Sequence, residues 1–469
     1  MSILEDNSTI IAISSGLKNA AIGIIRISGD NAIRLLNQVF IPSNPKVNII
    51  NSKGYRVYHG KLQKGEELID EVIVTIFRKP LSYTGEEVVE ISCHGNLILM
   101  QKIVEMFISM GCRLAKPGEF TLRAILNKKI DLPKAMAVRD IIESSTEQML
   151  RLSLKNLTGS FSKRINLIKD RLIYWIPWIE ALIDFPEEDI PDINLENLKT
   201  EILSIIREIE NIISNYEISK MYREGIDTVI VGKPNVGKST LFNYLYGQER
   251  VIISDIPGTT RDIITEYINF NGVVLKIHDT AGFRKTEDKI EKIGIEKAKE
   301  IIEKAQLVFL VIEYQSFDDN DKEVIYSIKN DKKLLIIINK IDKEKNFEKI
   351  REFENEISEF VIKIFPQNNF EIVSCSVKQN INLDELKNKL PQIIGLLKSE
   401  EIILIDNFQY EILKKILFFL NKCIQDFSLS IEIIAINVRE ALNSITELTG
   451  ENISDIVIDN MLSRFCIGK

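Results

Sequence analysis

Cysteine is scarce in this chain and never paired. Cys93, Cys112, Cys375, Cys423 and Cys466 are scattered along 469 residues, and no two of them form a C-x-x-C. That spacing excludes the usual zinc and iron–sulfur ligand patterns, and an odd, dispersed set fits a reducing compartment. Most are expected to be small buried hydrophobes; Cys466 stands apart, close to the end of the chain. Long apolar runs are missing as well. The longest, such as Leu334–Ile338, are strand-sized, far short of the roughly 20 residues of a membrane helix. The opening MSILEDNSTIIAI lacks a basic stretch leading into an apolar one, so no signal peptide, no membrane partner and a cytoplasmic location are expected. Positive charge is not in excess: 60 Lys and Arg against 68 Asp and Glu give a net charge of -8. This argues against a protein that coats nucleic acid through a broad basic surface, and allows a local basic patch. What is present is globular, with 45% apolar and 27% charged residues, at a length that suggests roughly three domains.

The hydrophobic period changes three times along the chain. Residues 1–119 mix strand signals (Thr9–Ile13, Ile22–Ile27, Asp70–Phe77, Glu87–Cys93) with a helix from about Asn96 to Ser109, an α/β or α+β unit. Over 120–219 the spacing turns helical, through Val138, Ile142, Met149 and Leu152, then Ile165, Ile168, Leu172, Trp175 and Ile179. Pro133 suits the first turn of a helix, Pro186 and Pro191 interrupt the pattern, and a further helix is expected from about Leu195 to Ser219. Residues 220–390 alternate strands with helices; strands are predicted at 227–231, 264–270, 273–278, 307–312, 334–338 and 371–374, a doubly wound α/β pattern. From 391 to 469 helices are expected at 400–421, 429–448 and 452–465. The economical reading is one helical bundle domain with an α/β nucleotide domain inserted between its halves.

Gly232-Lys-Pro-Asn235-Val236-Gly237-Lys238-Ser239 matches G-x-x-x-x-G-K-[ST] after a predicted strand and before a predicted helix, with Thr240 next. The glycines let backbone N–H groups turn toward phosphate oxygens, Lys238 offers a point charge to the outer phosphates, and Ser239 is a magnesium ligand. A glycine-rich turn with an exposed lysine is the bland alternative, but it leaves the following motifs unexplained. Pro257-Gly258-Thr259-Thr260-Arg261-Asp262 places Thr260 as a second magnesium ligand. Asp279-Thr280-Ala281-Gly282 supplies a carboxylate that reaches magnesium through water and a backbone N–H for the terminal phosphate. Asn339-Lys340-Ile341-Asp342 closes a strand, and Asp342 can accept the paired N–H groups of guanine that adenine lacks. Ser376-Val377-Lys378 follows the next strand and can close over the base. The ordered set reads as a GTPase. Many GTPases carry a water-orienting glutamine just after D-T-A-G; here that residue is Phe283, so the catalytic group is sought among Glu287, Asp288 and Glu291. Asn235 and the 254–259 stretch can offer oxygens to an additional cation.

Further motifs lie outside the nucleotide domain: Ile22-Gly-Ile-Ile-Arg26-Ile-Ser-Gly29, Ser82-Tyr-Thr-Gly-Glu-Glu-Val-Val-Glu90, Cys93-His-Gly95, Pro117-Gly-Glu-Phe-Thr-Leu-Arg123, Asn127-Lys-Lys129-Ile-Asp-Leu132 and the terminal Cys466-Ile-Gly-Lys469. With the GTPase motifs they make the chain, from residue 8 to 469, resemble the MnmE (TrmE) family of bacterial tRNA-modification GTPases. The resemblance implies an N-terminal folate-binding and dimerising domain similar to aminomethyltransferases, a helical domain, and an inserted Ras-like GTPase domain. It implies a homodimer that forms a heterotetramer with an MnmG-like flavoprotein using FAD and NADH. Together they would install an aminomethyl or carboxymethylaminomethyl group at position 5 of the tRNA wobble uridine. The one-carbon unit would come from 5,10-methylenetetrahydrofolate, with 5-formyltetrahydrofolate as an analogue. It also implies roles for particular residues. Asn235, with Ser254, Ile256 and Thr259 in the loop Ser254-Asp255-Ile256-Pro257-Gly258-Thr259, would bind potassium, and Glu291 would orient water. Arg26, Glu90, Lys129 and Lys469 would hold the folate, and Cys466 would take part in modification, against the alternative of an ordinary thiol beside Phe465. The sequence departs from the family at Ser14–Asn19, at Asn96 where a second glycine is usual, at Pro133–Ala137, and at Ser376-Val377-Lys378. Two other readings share the nucleotide motifs: a ribosome-assembly or translation GTPase, and a weakly hydrolysing GTP-binding scaffold that Phe283 would favour.

Overall fold

The structure is a computed structural model that describes residues 6–16, 19–184, 195–247, 265–270, 272–278, 302–365, 369–395, 402–427, 430–452 and 468. The chain divides into two compact units. One comprises Met1–Arg139, Phe161–Leu198 and Phe418–Lys469, and the other Asp140–Ser160 and Lys199–Leu417. Among the described residues no helix is long and apolar enough to cross a membrane.

The first unit is built on a seven-stranded sheet of β1 (Ile10–Ile13), β2 (Ile22–Ser28), β3 (Phe40–Pro42), β4 (Arg56–Lys64), β5 (Glu67–Phe77), β6 (Val88–His94) and β7 (Arg113–Leu114). Their order is β3-β4-β5-β6-β2-β1-β7, antiparallel throughout except for the β1–β7 pair. Helices α1 (Ala32–Val39) and α2 (Leu97–Ser109) bury Leu36, Ile103 and Phe107 against Ile11, Ile25, Val74 and Ile91. The four strands expected here are present, and β3, β4 and β7 are additional. β4 escaped because its inward positions are Gly60 and Leu62, and a Cβ on Gly60 would stand 2.3 Å from the Ile41 carbonyl oxygen. A required glycine thus removes the alternation by which strands are read. Helix α3 (Glu119–Leu126) follows, and α4 (Leu132–Glu143) starts with Pro133 in its first turn, as expected.

Beyond α5 (Glu147–Leu157) runs α6 (Ser160–Asp184), then α7 (Leu195–Ile213) and α8 (Tyr216–Glu224). The single helix expected over 195–219 is therefore two. Ser214 Oγ donates to the Asn211 carbonyl (2.7 Å), and Asn215 Nδ2 donates to the same oxygen (2.9 Å). These side chains compete with the helical ladder at the break.

The second unit holds β8 (Ile226–Val231), α9 (Lys238–Tyr246), β9 (Thr265–Phe270), β10 (Val273–His278), β11 (Leu307–Glu313), α10 (Asp319–Ser327), β12 (Lys333–Asn339), α11 (Phe347–Val361), β13 (Phe370–Ser374) and α12 (Leu383–Ile393). The strand order is β13-β12-β11-β8-β10-β9, parallel except for the β9–β10 hairpin. This is a Ras-like doubly wound sheet. Its central strands are near-continuous Val, Ile, Leu and Phe because both faces are covered by helices.

The helix expected from 400 begins late, as α13 (Asn407–Gln425). Asp406 N–H donates to Gln409 Oε1 and Gln409 N–H to Asp406 Oδ1, a reciprocal cap that starts the helix there. Ile402–Ile405 before it is a buried non-helical segment. Its backbone groups are taken by the rest of the unit: Leu404 O accepts from Asn156 Nδ2 (2.7 Å), and Ile405 N–H donates to Ser219 Oγ (3.1 Å). α14 (Ile431–Thr449) lies close to its expected bounds, and within the first unit it and the residues after it meet α6 through Arg439–Glu180 and Glu451–Lys169. All of the helix expected at 452–465 beyond Asn452, and Pro186 and Pro191, lie outside the described residues.

Candidate nucleotide-binding site

The second sheet brings the ends of three parallel strands together. β8 delivers Gly232, which has φ +142° and where a Cβ would stand 2.3 Å from the Val311 carbonyl oxygen. At Gly237, φ is +107° and a Cβ would meet Asn339 Nδ2 at 2.1 Å. Neither position tolerates a side chain, which is the physical content of the glycines in the motif. Gly237 is also the N-cap of α9 without a side-chain cap, so the first N–H groups of that helix remain for an anion. Ser239 and Thr240 are exposed on this first turn.

β12 ends in Asn339, which is buried and joins two loops. Its Nδ2 donates to Val236 O (2.8 Å), and its Oδ1 accepts from the Val377 N–H (3.1 Å). Lys340, at φ +67°, turns back so that Nζ donates to Asn235 O (2.7 Å) and pairs with Glu313 (2.8 Å). Asp342 is exposed and accepts from Ser376 Oγ (2.6 Å), while Ser376 and Val377 are buried and Lys378 is exposed. Ser376 and Ile381 pair through their backbones and close this loop on itself.

Lys238 is half-buried. Its Nζ donates to two carbonyls, Gly232 O (2.8 Å) and Lys233 O (2.6 Å), and burial pushes its ammonium below the ordinary lysine range. Among the described residues this half-buried cation is held by carbonyl dipoles, which fits an anionic ligand whose charge would offset the desolvation. Asn235, at φ +62°, is exposed, with its main-chain oxygen already engaged by Lys340.

Ser254, Asp255, Ile256, Pro257, Gly258, Thr259, Thr260, Asp279, Thr280, Ala281, Gly282, Phe283, Glu287, Asp288, Glu291, Cys466 and Lys469 lie outside the described residues. β10 ends at His278, immediately before Asp279.

In the first unit, Arg26 and Glu90 are register partners on β2 and β6. Arg26 Nε and Nη2 reach Glu90 Oε1 at 2.9 and 2.7 Å, and the guanidinium lies 5.6 Å from the ring centres of both Tyr83 and Phe120. Arg26 Nη1 also donates to Gly468 O (3.4 Å), which accepts from Ser14 Oγ (3.0 Å). So Arg26, Glu90 and the residue preceding Lys469 are brought together from sequence positions far apart. Lys129 is exposed just past α3, beside the Gly85 turn, where a Cβ on Gly85 would stand 3.4 Å from its Cγ. Tyr83 and Phe120 were not singled out from sequence, since aromatic residues near a strand read as ordinary core. Cys93, Cys112, Cys375 and Cys423 are buried free thiols, as expected, with burial pushing Cys93 and Cys112 up to about 11 and Cys375 and Cys423 to about 12.

Comparison with known proteins shows the family. Residues 9–129 match the GTP-binding protein TrmE N-terminus, and residues 132–466 match the MnmE helical domain. The tRNA modification GTPase MnmE of Desulforamulus reducens is 39% identical over 476 residues, covering all of both chains. That of Carboxydothermus hydrogenoformans is 39% identical, also over all of both chains. That of Acetivibrio thermocellus is 38% identical over 98% of this chain and 99% of its own. A ribosome-assembly GTPase would share only the nucleotide motifs. A full-length match at this identity, with the guanine and phosphate loops assembled as described, identifies the chain as a GTP-hydrolysing member of the MnmE (TrmE) family of tRNA modification GTPases.

Proposed function

We propose that the protein is a potassium-dependent, homodimeric GTPase that acts with an MnmG-like flavoprotein, itself using FAD and NADH, on tRNA. The product is an aminomethyl or carboxymethylaminomethyl group at position 5 of the wobble uridine. The observation that carries the reading is Asn339, which binds Val236 of the phosphate loop and Val377 of the base loop at once. One buried side chain thereby sets both ends of a nucleotide site.

Each residue then has a task. Lys238 and the N–H groups at the start of α9 bind the outer phosphates, and Ser239 and Thr260 hold magnesium, with Asp279 acting through water. Gly282 offers its N–H to the terminal phosphate. Asp342 accepts from guanine, and Ser376–Lys378 cover the base. Asn235, Ser254, Ile256 and Thr259 give neutral oxygens to potassium. Phe283 cannot polarise water, so Glu291 orients it. In the first unit, Arg26, Glu90, Lys129 and Lys469 hold a tetrahydrofolate. The Arg26–Glu90 pair offers donors and an acceptor to a pterin-type ring, with Tyr83 and Phe120 supplying apolar surface beside it. When bound, 5,10-methylenetetrahydrofolate supplies the one-carbon unit. Cys466 takes part in the modification.

Reconstitution tests this. The purified protein is incubated with the flavoprotein, FAD, NADH, methylenetetrahydrofolate, ammonium or glycine, and unmodified tRNA, and the uridine is read by mass spectrometry. The modified nucleoside is expected with GTP and potassium. Its formation at the same rate with a non-hydrolysable GTP analogue, or its absence when every component is present, would contradict the proposal.

A further inference from the structure

Lys233 is one of the unspecified positions of G-x-x-x-x-G-K-S, so the motif says nothing about it. A lysine in a phosphate-binding loop invites assignment to the phosphates, but its side chain is engaged elsewhere. Nζ lies 2.7 Å from Ser316 O, 2.8 Å from Asp318 Oδ2 and 2.7 Å from Asp321 Oδ2. An ammonium has three protons, and these oxygens can take all three.

The acceptors belong to one segment, running from the end of β11 into the first turn of α10. Asp321 is 1% exposed, and its Oδ2 also accepts from the Asp318 N–H, half of a capping box whose other half is Asp318 Oδ1 with the Asp321 N–H. The lysine is therefore bound to a carboxylate that the helix start itself fixes. The same segment also reaches the middle of the phosphate loop through Glu313, which pairs with Lys340 while Lys340 holds Asn235 O. At the first of these points, the carbonyl of Lys233 is one of the two that hold Lys238.

We propose that residues 313–321 brace the first half of the phosphate-binding loop at two points, Lys233 and Asn235, with Lys233 and Asp321 as positioning residues that set the loop for nucleotide. The inference rests on the functional reading above. A preset loop spares the ordering cost on binding, so loosening it weakens GDP and GTP alike. It leaves the hydrolytic step of the bound complex intact, because both side chains are engaged with one another and with Ser316 and Asp318.

The test uses the full-length protein with Lys233→Ala, Lys233→Arg, Asp321→Asn and the Lys233→Ala/Asp321→Asn pair. Affinities are measured with fluorescent GDP and GTP analogues, and KM and kcat with GTP. Lys233→Ala should weaken both nucleotides roughly tenfold and raise KM in step, with kcat at saturation held to about twofold. Lys233→Arg should restore most of the affinity, and the double variant should bind no worse than Lys233→Ala, as coupled partners require. If Lys233→Ala does not fold, Asp321→Asn carries the same test. A folded Lys233→Ala, or in its place Asp321→Asn, with parental affinities, or a loss confined to kcat, overturns the brace. A parent protein that binds no GTP would sink the functional reading and the brace together.

Discussion

Glu119 has no solvent exposure, yet it is charged and well partnered. Its carboxylate accepts from Arg113 Nη1 (3.1 Å), Arg123 Nη2 (3.1 Å) and the Lys116 N–H (2.8 Å), and it also pairs with Arg113 Nη2. Arg123 continues the network to Glu86 (3.1 Å), which accepts from Ser28 Oγ (2.6 Å). Burial pushes the Glu119 carboxyl up, but the hydrogen bonds and the two guanidiniums outweigh it and hold the group below the usual carboxylate range. The linkage has a definite sign. A carboxyl whose folded value is depressed stabilises the fold above its unfolded value, near 4.3, and that contribution is lost as pH falls through the folded value. Glu119→Ala should cost about 1–3 kcal/mol at neutral pH, because Arg113 and Arg123 lose their hydrogen bonds to it while keeping Asp6 and Glu86. Glu119→Gln should flatten the decline in stability below about pH 4. Urea unfolding at stepped pH reads both effects, and a Gln variant whose pH curve parallels that of the parent would refute the assignment.

At the scale of elements, Asn96 explains one departure from the family pattern. It is the N-cap of α2, at φ -92° and ψ 127°, and its side-chain oxygen accepts from the N–H groups of Ile98 (3.0 Å) and Leu99 (3.2 Å). A glycine there would leave those donors to water, whereas asparagine satisfies them. Asn96→Ala should lower stability by about 1 kcal/mol and Asn96→Gly by only a few tenths, measured as shifts in chemical unfolding. Equal losses for the two would argue against the cap. Elements of this kind were legible where local chemistry decides them: β8, β10, β11 and β12 are apolar runs cut off by glycine or polar motifs, and they fall within a residue or so of their expected bounds. They were illegible where distant partners decide. Ile402–Ile405 has a helix-compatible sequence, but Asn156 and Ser219 claim its backbone. The β4 signal disappears at Gly60, whose absent side chain is dictated by a neighbouring strand.

For the molecule as a whole, the site divides in the same way. Gly232, Lys238, Asn339 and Asp342 announce themselves because phosphate and guanine demand those residue types at fixed spacing. Lys233, Glu313 and Asp321 do not: Lys233 fills an unspecified position of the motif, Glu313 and Asp321 lie outside it, and all three bond to other parts of the protein. Arg26 and Glu90 are ordinary strand residues in sequence, and only the β2–β6 register makes them a pair.

We propose that a neutral-oxygen cation site and an acid outside the D-T-A-G motif replace the missing glutamine. That replacement is tested by GTP turnover in potassium and in sodium at equal ionic strength, for the parent, Asn235→Ala and Glu291→Ala. The account predicts turnover stimulated by potassium and not by sodium, and no potassium response in Asn235→Ala. It predicts a rate roughly 10²–10⁴ lower in Glu291→Ala at unchanged GTP affinity. Equal parental rates in the two salts, or a Glu291→Ala variant as fast as the parent, would contradict it.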